Sequence, residues 1–244
     1  IMSKKIFLLN ILNSILKPIG IQIYREGFDM KSVLKRFPKQ AASSRTIIDI
    51  GASTGRWSAM TMPIFPNARF VGIEPLIERE PDLKRLKETH SNFDYVLCVA
   101  GEELNGSAEL AVSNDLDGST IGGSEGLLRQ VPSNSVDAIV AMKNCQGPFI
   151  LKFDTHGFEV PILRGAKKTL EETNYIVMEV YNYRHTKDTL LFYEMCALLD
   201  TIGFRCFNMA DPLSRPLDRS LWQMDFFFAR KNDELFRINS FKNS

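Results

Sequence analysis

Lys152, Asp154, His156 and Glu159 carry groups able to move or hold a proton, and they fall within one short run, ILKFDTHGFEVPILRGA, from Ile150 to Ala166. Lys152 and Asp154 alternate with apolar residues, so on a strand both point to one side, and Asp154 reaches the strand's C-terminal end. Open α/β sheets gather ligands at that end. Asp154 is the first candidate to orient or deprotonate a group bound there, and His156, one turn position later, is the second. A turn histidine bonded to backbone is the equal alternative. Glu159 can cap the following helix or hold loop amides as readily as take part in chemistry. Lys152 can neutralise Asp154, or Glu179 on a neighbouring strand. Asp154 and Glu179, with His185, have the hard donors a divalent cation takes, but no spacing demands a metal and none is expected.

A second cluster precedes it. In IIDIGASTG, Ile47 to Gly55, a strand-favouring run enters a turn with Gly51 and Gly55 and then a helix from Arg56. Glycines there let backbone N–H groups and the positive end of the helix approach a ligand with no Cβ in the way. Asp49 can order the loop through its amides or accept from a ligand. Ser53 can contact the ligand, with an N-cap role for the helix as the alternative. A dinucleotide loop would read G-x-G-x-x-G; Gly51-Ala52-Ser53-Thr54-Gly55 lacks the middle glycine, which disfavours NAD. Glu74, ending the next strand before Pro75, stands where a carboxylate takes both ribose hydroxyls. A glycine loop with a ribose carboxylate fits an adenosine-type ligand without a diphosphate, such as S-adenosylmethionine. Val99 and Ala100, with Cys98, end a third strand where an adenine ring would lie, though core packing accounts for them equally.

The elements that must position these residues follow from the pattern. Strands are expected at Ile47–Ile50, Arg69–Glu74, Phe93–Val99, Phe149–Asp154, Tyr175–Val180, Phe204–Asn208 and Trp222–Ala229, with helices at Arg56–Met62, through His90, from Val160 to Leu170 and from Thr189 to Ile202. That is a βαβαβ half of a doubly wound sheet, ending in a hairpin with an antiparallel strand. Ser107–Val112 alternates like a hairpin strand. Asn114–Gly126 is a Gly-, Ser- and Asp-rich loop of the kind that covers a site or moves.

The 244 residues are 44% hydrophobic, enough for one large α/β domain, expected over 45–244 behind an N-terminal helical extension, 1–44. Thirty basic and 29 acidic residues leave no electrostatic footprint for nucleic acid. The first 45 positions carry nine of the 30 basic residues against only Glu26 and Asp29, a basic N-terminal arm. There Leu8, Leu12, Ile15, Leu16 and Ile19 share one helical face, to be covered by the domain itself or by the second chain of a homodimer, with peripheral membrane contact as the alternative. Four cysteines without C-x-x-C spacing are read as reduced thiols of a cytoplasmic protein.

With IIDIGASTG, FVGIEP, the Lys152-x-Asp154 strand followed by Gly157, Glu159, Leu163, Gly165 and Ala166, and YIVMEV, the chain from Ile47 to Val180 resembles the FkbM family of S-adenosylmethionine-dependent methyltransferases. The resemblance implies a class I methyltransferase, Rossmann-like α/β fold: a seven-stranded, mostly parallel sheet with the last strand antiparallel and helices on both faces. It also implies O-methylation of a hydroxyl on a sugar, glycolipid or secondary metabolite. In the family a small hydroxyl residue of the long loop lies near the active site, which here points to Ser119 and Thr120 as substrate contacts. A nucleotide-dependent oxidoreductase and a non-catalytic binding module peripheral to a membrane are the competing readings.

Overall fold

The computed structural model describes residues 11–19, 27–123 and 126–241. Its main sheet has seven strands. β1 (Thr46–Ile50), β2 (Arg69–Glu74), β3 (Phe93–Leu97), β8 (Phe149–Phe153) and β9 (Thr173–Tyr181) are joined by β10 (Phe204–Ser214) and β11 (Leu221–Arg230), in the spatial order β10-β11-β9-β8-β1-β2-β3. The pairs β3–β2–β1–β8–β9 are parallel, and β11 runs antiparallel to both β9 and β10. This is the Rossmann-like sheet that the sequence implies, with one reversed strand near its edge.

Alternation along each strand divides the core between the two faces of the sheet. Ile48, Ile50, Leu151, Phe153, Ile176 and Met178 bury one face. Ile47, Ile150, Tyr175, Val177 and Phe227 bury the other. Phe37 completes that second face, its ring edge-on to those of Phe65, Tyr175, Phe207 and Phe227 at centroid distances of 5.9, 5.1, 5.6 and 5.7 Å. Each such aromatic pair adds about 0.5–1.5 kcal/mol beyond its buried area. Val33 and Leu34, in the helix Met30–Leu34, are buried with it, so this stretch of the 1–44 extension packs into the core of the sheet.

Near the C-terminal strand ends the second face turns polar. Asp49, Lys152, Glu179 and Asp225 continue the same alternation, with Asp49 opposite Lys152 on β1 and β8 and Glu179 opposite Asp225 on β9 and β11. The sheet therefore gathers these four ionisable groups at one end of one face.

Several sequence expectations are corrected. The third strand does not run unbroken from Phe93 to Val99: it ends at Leu97, and Val99–Gly101 forms β4 in a separate sheet. At the break, Cys98 N donates to Glu74 O at 3.0 Å as the chain leaves the first sheet. The region between β4 and β8, read from sequence as largely irregular, holds the rest of that second sheet. β5 (Gly106–Val112), β6 (Thr120–Ile121) and β7 (Leu127–Ser135) complete it in the order β4-β7-β5-β6. Only Val131 and Ser135 of β7 are buried, so its sequence, LLRQVPSNS, lacks the apolar alternation that marks a strand. The helix expected from Val160 to Leu170 is two, Glu159–Arg164 and Lys167–Glu171, parted at Gly165 and Ala166.

Of the expected N-terminal helix, residues 11–16 are helical with Ile11, Leu12 and Ile15 exposed, and Leu8 lies outside the described residues. No helix among the described residues is long and apolar enough to cross a membrane.

Candidate active site

The C-terminal ends of β1, β2, β8 and β9 open into a cavity of about 370 Å³, the size range of small-molecule sites. Gly51, Ser53, Glu74, Pro75, Val99, Ala100, Ser119, Thr120, Asp154 and His156 all line it. Asp49, Ala52, Gly55, Lys152 and Glu159 stand behind this lining. The loop after β5 forms one wall through Leu116 and Asp117 as well as Ser119 and Thr120. It is anchored by Arg79 Nη2 on Asp117 Oδ1 at 2.5 Å.

On the β1–β2 side the backbone makes the geometry. Gly51 has φ +78°, and a Cβ there would meet Asp154 O at 1.9 Å. Gly51 N and Ala52 N both donate to Ile73 O, at 2.9 and 3.1 Å, and Asp154 N donates to Ile50 O at 2.9 Å. Glycine at 51 thus lets β1, β2 and β8 close on one another. Ala52 is buried beneath the turn. Gly55, at φ +76°, is itself the N-cap of the helix Arg56–Thr61, and no side chain caps that helix, which removes the capping role considered for Ser53.

Ser53 instead turns through φ +46° and donates its N–H to Glu74 Oε2 at 2.7 Å, while Leu76 N donates to Glu74 Oε1 at 2.9 Å. A carboxylate has about four lone-pair sites. With one backbone amide on each oxygen, a second site on each remains for a pair of hydroxyl donors. Burial pushes the Glu74 carboxyl up, opposed by the Leu76 and Ser53 amides.

On the β8–β9 side, side-chain charges make the geometry. Asp49 is fully buried, accepts from Ser58 Oγ at 2.7 Å and lies 3.7 Å from Lys152 Nζ. Its second oxygen has no hydrogen-bond partner among the described residues. Lys152, also buried, donates to Asp154 Oδ2 at 2.7 Å. Burial alone would lower the Lys152 ammonium, and Asp154 and Asp49 more than reverse that, so it stays charged. Lys152 therefore serves Asp154 and Asp49 rather than Glu179. Burial likewise opposes ionisation of Asp154, but Lys152 and then His156 hold its carboxyl below the usual range.

His156 sits at φ +52° in the turn after β8. Its side chain is bonded to side chains, not to backbone: Nδ1 is 2.7 Å from Tyr181 Oη and 3.4 Å from Glu179 Oε2, and Nε2 is 4.0 Å from Asp154 Oδ1. Burial would lower this imidazole; Glu179, Asp154 and Glu159 more than offset it and raise it to about 9. Glu159 is buried at the start of its helix and accepts from Gly157 N at 2.9 Å and Thr155 Oγ1 at 3.1 Å, so it braces the turn. Thr120 Oγ1 donates to His156 O at 3.0 Å, and Ser119 Oγ accepts from Ser113 N at 3.1 Å. These hydroxyls tie the loop to itself and to the turn.

The sequence pairs Glu179 only with Lys152 or a metal, and it does not join Tyr181 to Glu179 or His156. Tyr181 Oη and Gln223 Nε2 both donate to Glu179. A signal existed in YIVMEVY: Glu179 and Tyr181 are two apart in an otherwise apolar strand, hence on one face at its C-terminal end. Gln223 had none. Asp154, His156 and Glu179, rather than His185, bring a donor atom each within 4.8 Å of one another. Lys152 holds Asp154 Oδ2, Tyr181 Oη lies against His156 Nδ1 and donates to Glu179, and Gln223 donates to Glu179, while His156 Nε2 and Asp154 Oδ1 face each other at 4.0 Å. His185 packs edge-on to the Tyr181 and Trp222 rings.

Residues 49–206 match the family model described as the methyltransferase FkbM domain. Among solved structures, the chain is similar to a methyltransferase FkbM from Methylobacillus flagellatus KT, with 18% identity, a TM-score of 0.48, and coverage of 79% of this chain and 47% of that one. It therefore spans about half of that protein's length. It is also similar to a SAM-dependent methyltransferase from Aquifex aeolicus (13% identity, TM-score 0.43, 88% and 97% covered). A third is the Burkholderia thailandensis 1,6-didemethyltoxoflavin-N1-methyltransferase with bound 1,6-didemethyltoxoflavin and S-adenosylhomocysteine (13%, 0.43, 93% and 86%). No curated protein matches.

Proposed function

The chain belongs to the FkbM methyltransferase family, and from that premise we propose that it uses S-adenosylmethionine to methylate a hydroxyl oxygen of a sugar, glycolipid or secondary metabolite. The observation that carries this reading is the convergence of two sites in one cavity: Gly51, Ser53 and Glu74 on one rim, Asp154 and His156 on the other. The residues present fit the cofactor. Glu74 retains a lone-pair site on each oxygen for a ribose, Gly51 and Ser53 bring the loop backbone to the lining, and Val99 and Ala100 offer an apolar surface to an adenine. The bound cofactor supplies an electrophilic methyl group on a sulfonium.

The chain's own residues then have three tasks. Methyl transfer to oxygen brings opposite developing charges together, so much of the acceleration comes from alignment and from excluding water. The loop carrying Leu116 to Ile121 covers the cavity and serves the second of these. An unactivated hydroxyl also needs a proton acceptor. Asp154, committed to Lys152 and held below the ordinary carboxylate range, is a weak base and a good orienting acceptor; His156 beside it is the stronger base.

Incubation with S-adenosylmethionine tritiated in the methyl group, against a panel of methyl glycosides, glycolipid extracts and polyketide alcohols, tests the reading. The expected product carries label that resists alkali, as an ether does. Label released by alkali as methanol would mean carboxyl methylation, and label on nitrogen would mean an amine acceptor; either result overturns the hydroxyl assignment.

A further inference from the structure

We propose that Tyr181 and Glu179 are positioning residues that fix His156 with a proton on Nδ1, so that Nε2 faces the cavity as acceptor of the substrate hydroxyl's proton. The inference rests on the methyl-transfer reading above. It assigns the base within that site and the device that sets it.

The hydrogen-bond inventory carries the argument. The Tyr181 side chain is buried, and its one hydroxyl proton is donated to Glu179. Burial and then Glu179 push that hydroxyl's ionisation well up, so the proton stays in place. Toward His156 Nδ1, at 2.7 Å, the tyrosine oxygen can then only accept. Glu179 Oε2, 3.4 Å from the same nitrogen, is an acceptor too. Both neighbours of Nδ1 lack a proton to give, so Nδ1 must carry one. In the neutral ring Nε2 then has the lone pair, and among the described residues it has no hydrogen-bond partner. The logic is that of a base oriented by a third group, here a tyrosine and a glutamate in series.

The backbone holds the ring to this task. Positive φ is uncommon for a residue with a Cβ and needs surrounding structure to maintain it. At His156 that structure is Thr120 on its carbonyl and Glu159 on the next amide. Gly157 follows at φ +101°, where a Cβ would lie 2.3 Å from Thr189 Oγ1.

In the step itself, the hydroxyl oxygen forms its bond to the methyl carbon, the O–H electron pair stays on oxygen and the proton passes to Nε2. The C–S pair is left on sulfur as a neutral thioether. Nε2 must be unprotonated beforehand. The charged and titratable groups facing the ring are Asp154 just after β8, Glu159 from the following helix, Glu179 and Tyr181 from β9, and His185 from the segment after β9. With the carboxylates dominant, His156 is a cation at neutral pH in the cofactor-free protein, and a positive charge entering the cavity favours loss of its proton. Cofactor binding thereby prepares the base.

The chain has three histidines, so their ring nitrogens are separable by long-range proton–nitrogen NMR on the full chain, assigned with His90→Gln and His185→Gln. Above its titration, His156 is expected as the Nδ1–H tautomer. Its midpoint is expected near 9 and should fall by at least about one unit in Glu179→Gln, as one neighbouring charge is removed. Sinefungin, with an ammonium where the sulfonium stands, should lower it more than neutral S-adenosylhomocysteine does. Tyr181→Phe should give mixed tautomers. An Nε2–H tautomer in the wild-type protein, or a midpoint that ignores both Glu179→Gln and sinefungin, overturns the proposal, and the wild-type tautomer decides it even if a variant fails to fold. Calorimetry with S-adenosylhomocysteine on the same samples separates the two levels. Binding with the wrong tautomer sinks only this inference, whereas no binding sinks the methyl-transfer reading beneath it.

Discussion

On the rim formed by β1 and β2 the polar contacts run through backbone, whereas on the rim formed by β8 and β9 they run between side chains. Gly51, Ala52 and Ser53 donate amides to Ile73 O and Glu74, and the only side chain among these contacts is the Glu74 carboxylate. Opposite them, Lys152, Asp154, His156, Glu179 and Tyr181 form one connected set of charges and hydroxyls, which Asp49 of β1 joins from beneath through Lys152. A backbone-built rim is rigid and offers shape, as a binding site requires. A charge-built rim can change protonation, as a proton-transfer site requires. The two should therefore fail differently when altered.

The largest effect is expected at Gly51→Ala. Positive φ costs a residue with a Cβ about 1–2 kcal/mol, and the clash with Asp154 O adds about 1–3 kcal/mol of overpacking. Thermal unfolding should show a Tm lower by roughly 5 °C or more, with cofactor binding lost. A variant of wild-type stability would show that the two rims are not in the contact described.

Next come the functional losses that separate the rims. Glu74→Ala should weaken S-adenosylhomocysteine binding by about ten- to a hundredfold, the worth of hydrogen bonds to a charged group. Asp154→Ala should leave that affinity within about threefold and abolish turnover. Equal effects on binding from both variants would erase the division of labour.

A subtler difference lies in the pH dependence of stability. His156 is raised in the folded protein, to about 9 from an ordinary value of 6.5, so its contribution is fully present below about pH 6.5 and fades as pH rises through 9. Denaturant unfolding of wild type and His156→Gln should therefore give a stability gap that narrows between pH 6.5 and 9. A constant gap would mean that the cluster does not hold the imidazolium. The smallest change is expected for Thr120→Val, which removes one hydrogen bond worth about 0.5–1.5 kcal/mol and frees the His156 carbonyl. It should raise hydrogen exchange in the 155–157 turn and leave cofactor affinity unchanged.

The same contrast governs how much could be read from sequence. The backbone-built rim was legible because glycine positions, strand patterns and the strand-end Glu74 are local signals. The parallel order of the main sheet followed from the alternation of strands and helices. The charge-built rim was legible only as a list of residue types: Lys152 and Asp154 announced themselves by alternation, but which partner each takes depends on register between strands distant in sequence. Asp225 meets Glu179, and Gln223 lies opposite Tyr181, only because β11 inserts antiparallel beside β9. The second sheet was hidden for another reason. β7 is buried only at Val131 and Ser135, so burial left no periodic mark on it.

Calorimetric titration of the wild-type chain with S-adenosylhomocysteine and, separately, with NAD tests the central claim most directly. The two lone-pair sites left on Glu74 predict that S-adenosylhomocysteine binds, and the loop from Gly51 to Gly55, which lacks the middle glycine of a dinucleotide loop, predicts that NAD does not. The absence of any S-adenosylhomocysteine binding at millimolar concentration, or binding of NAD in its place, would contradict it.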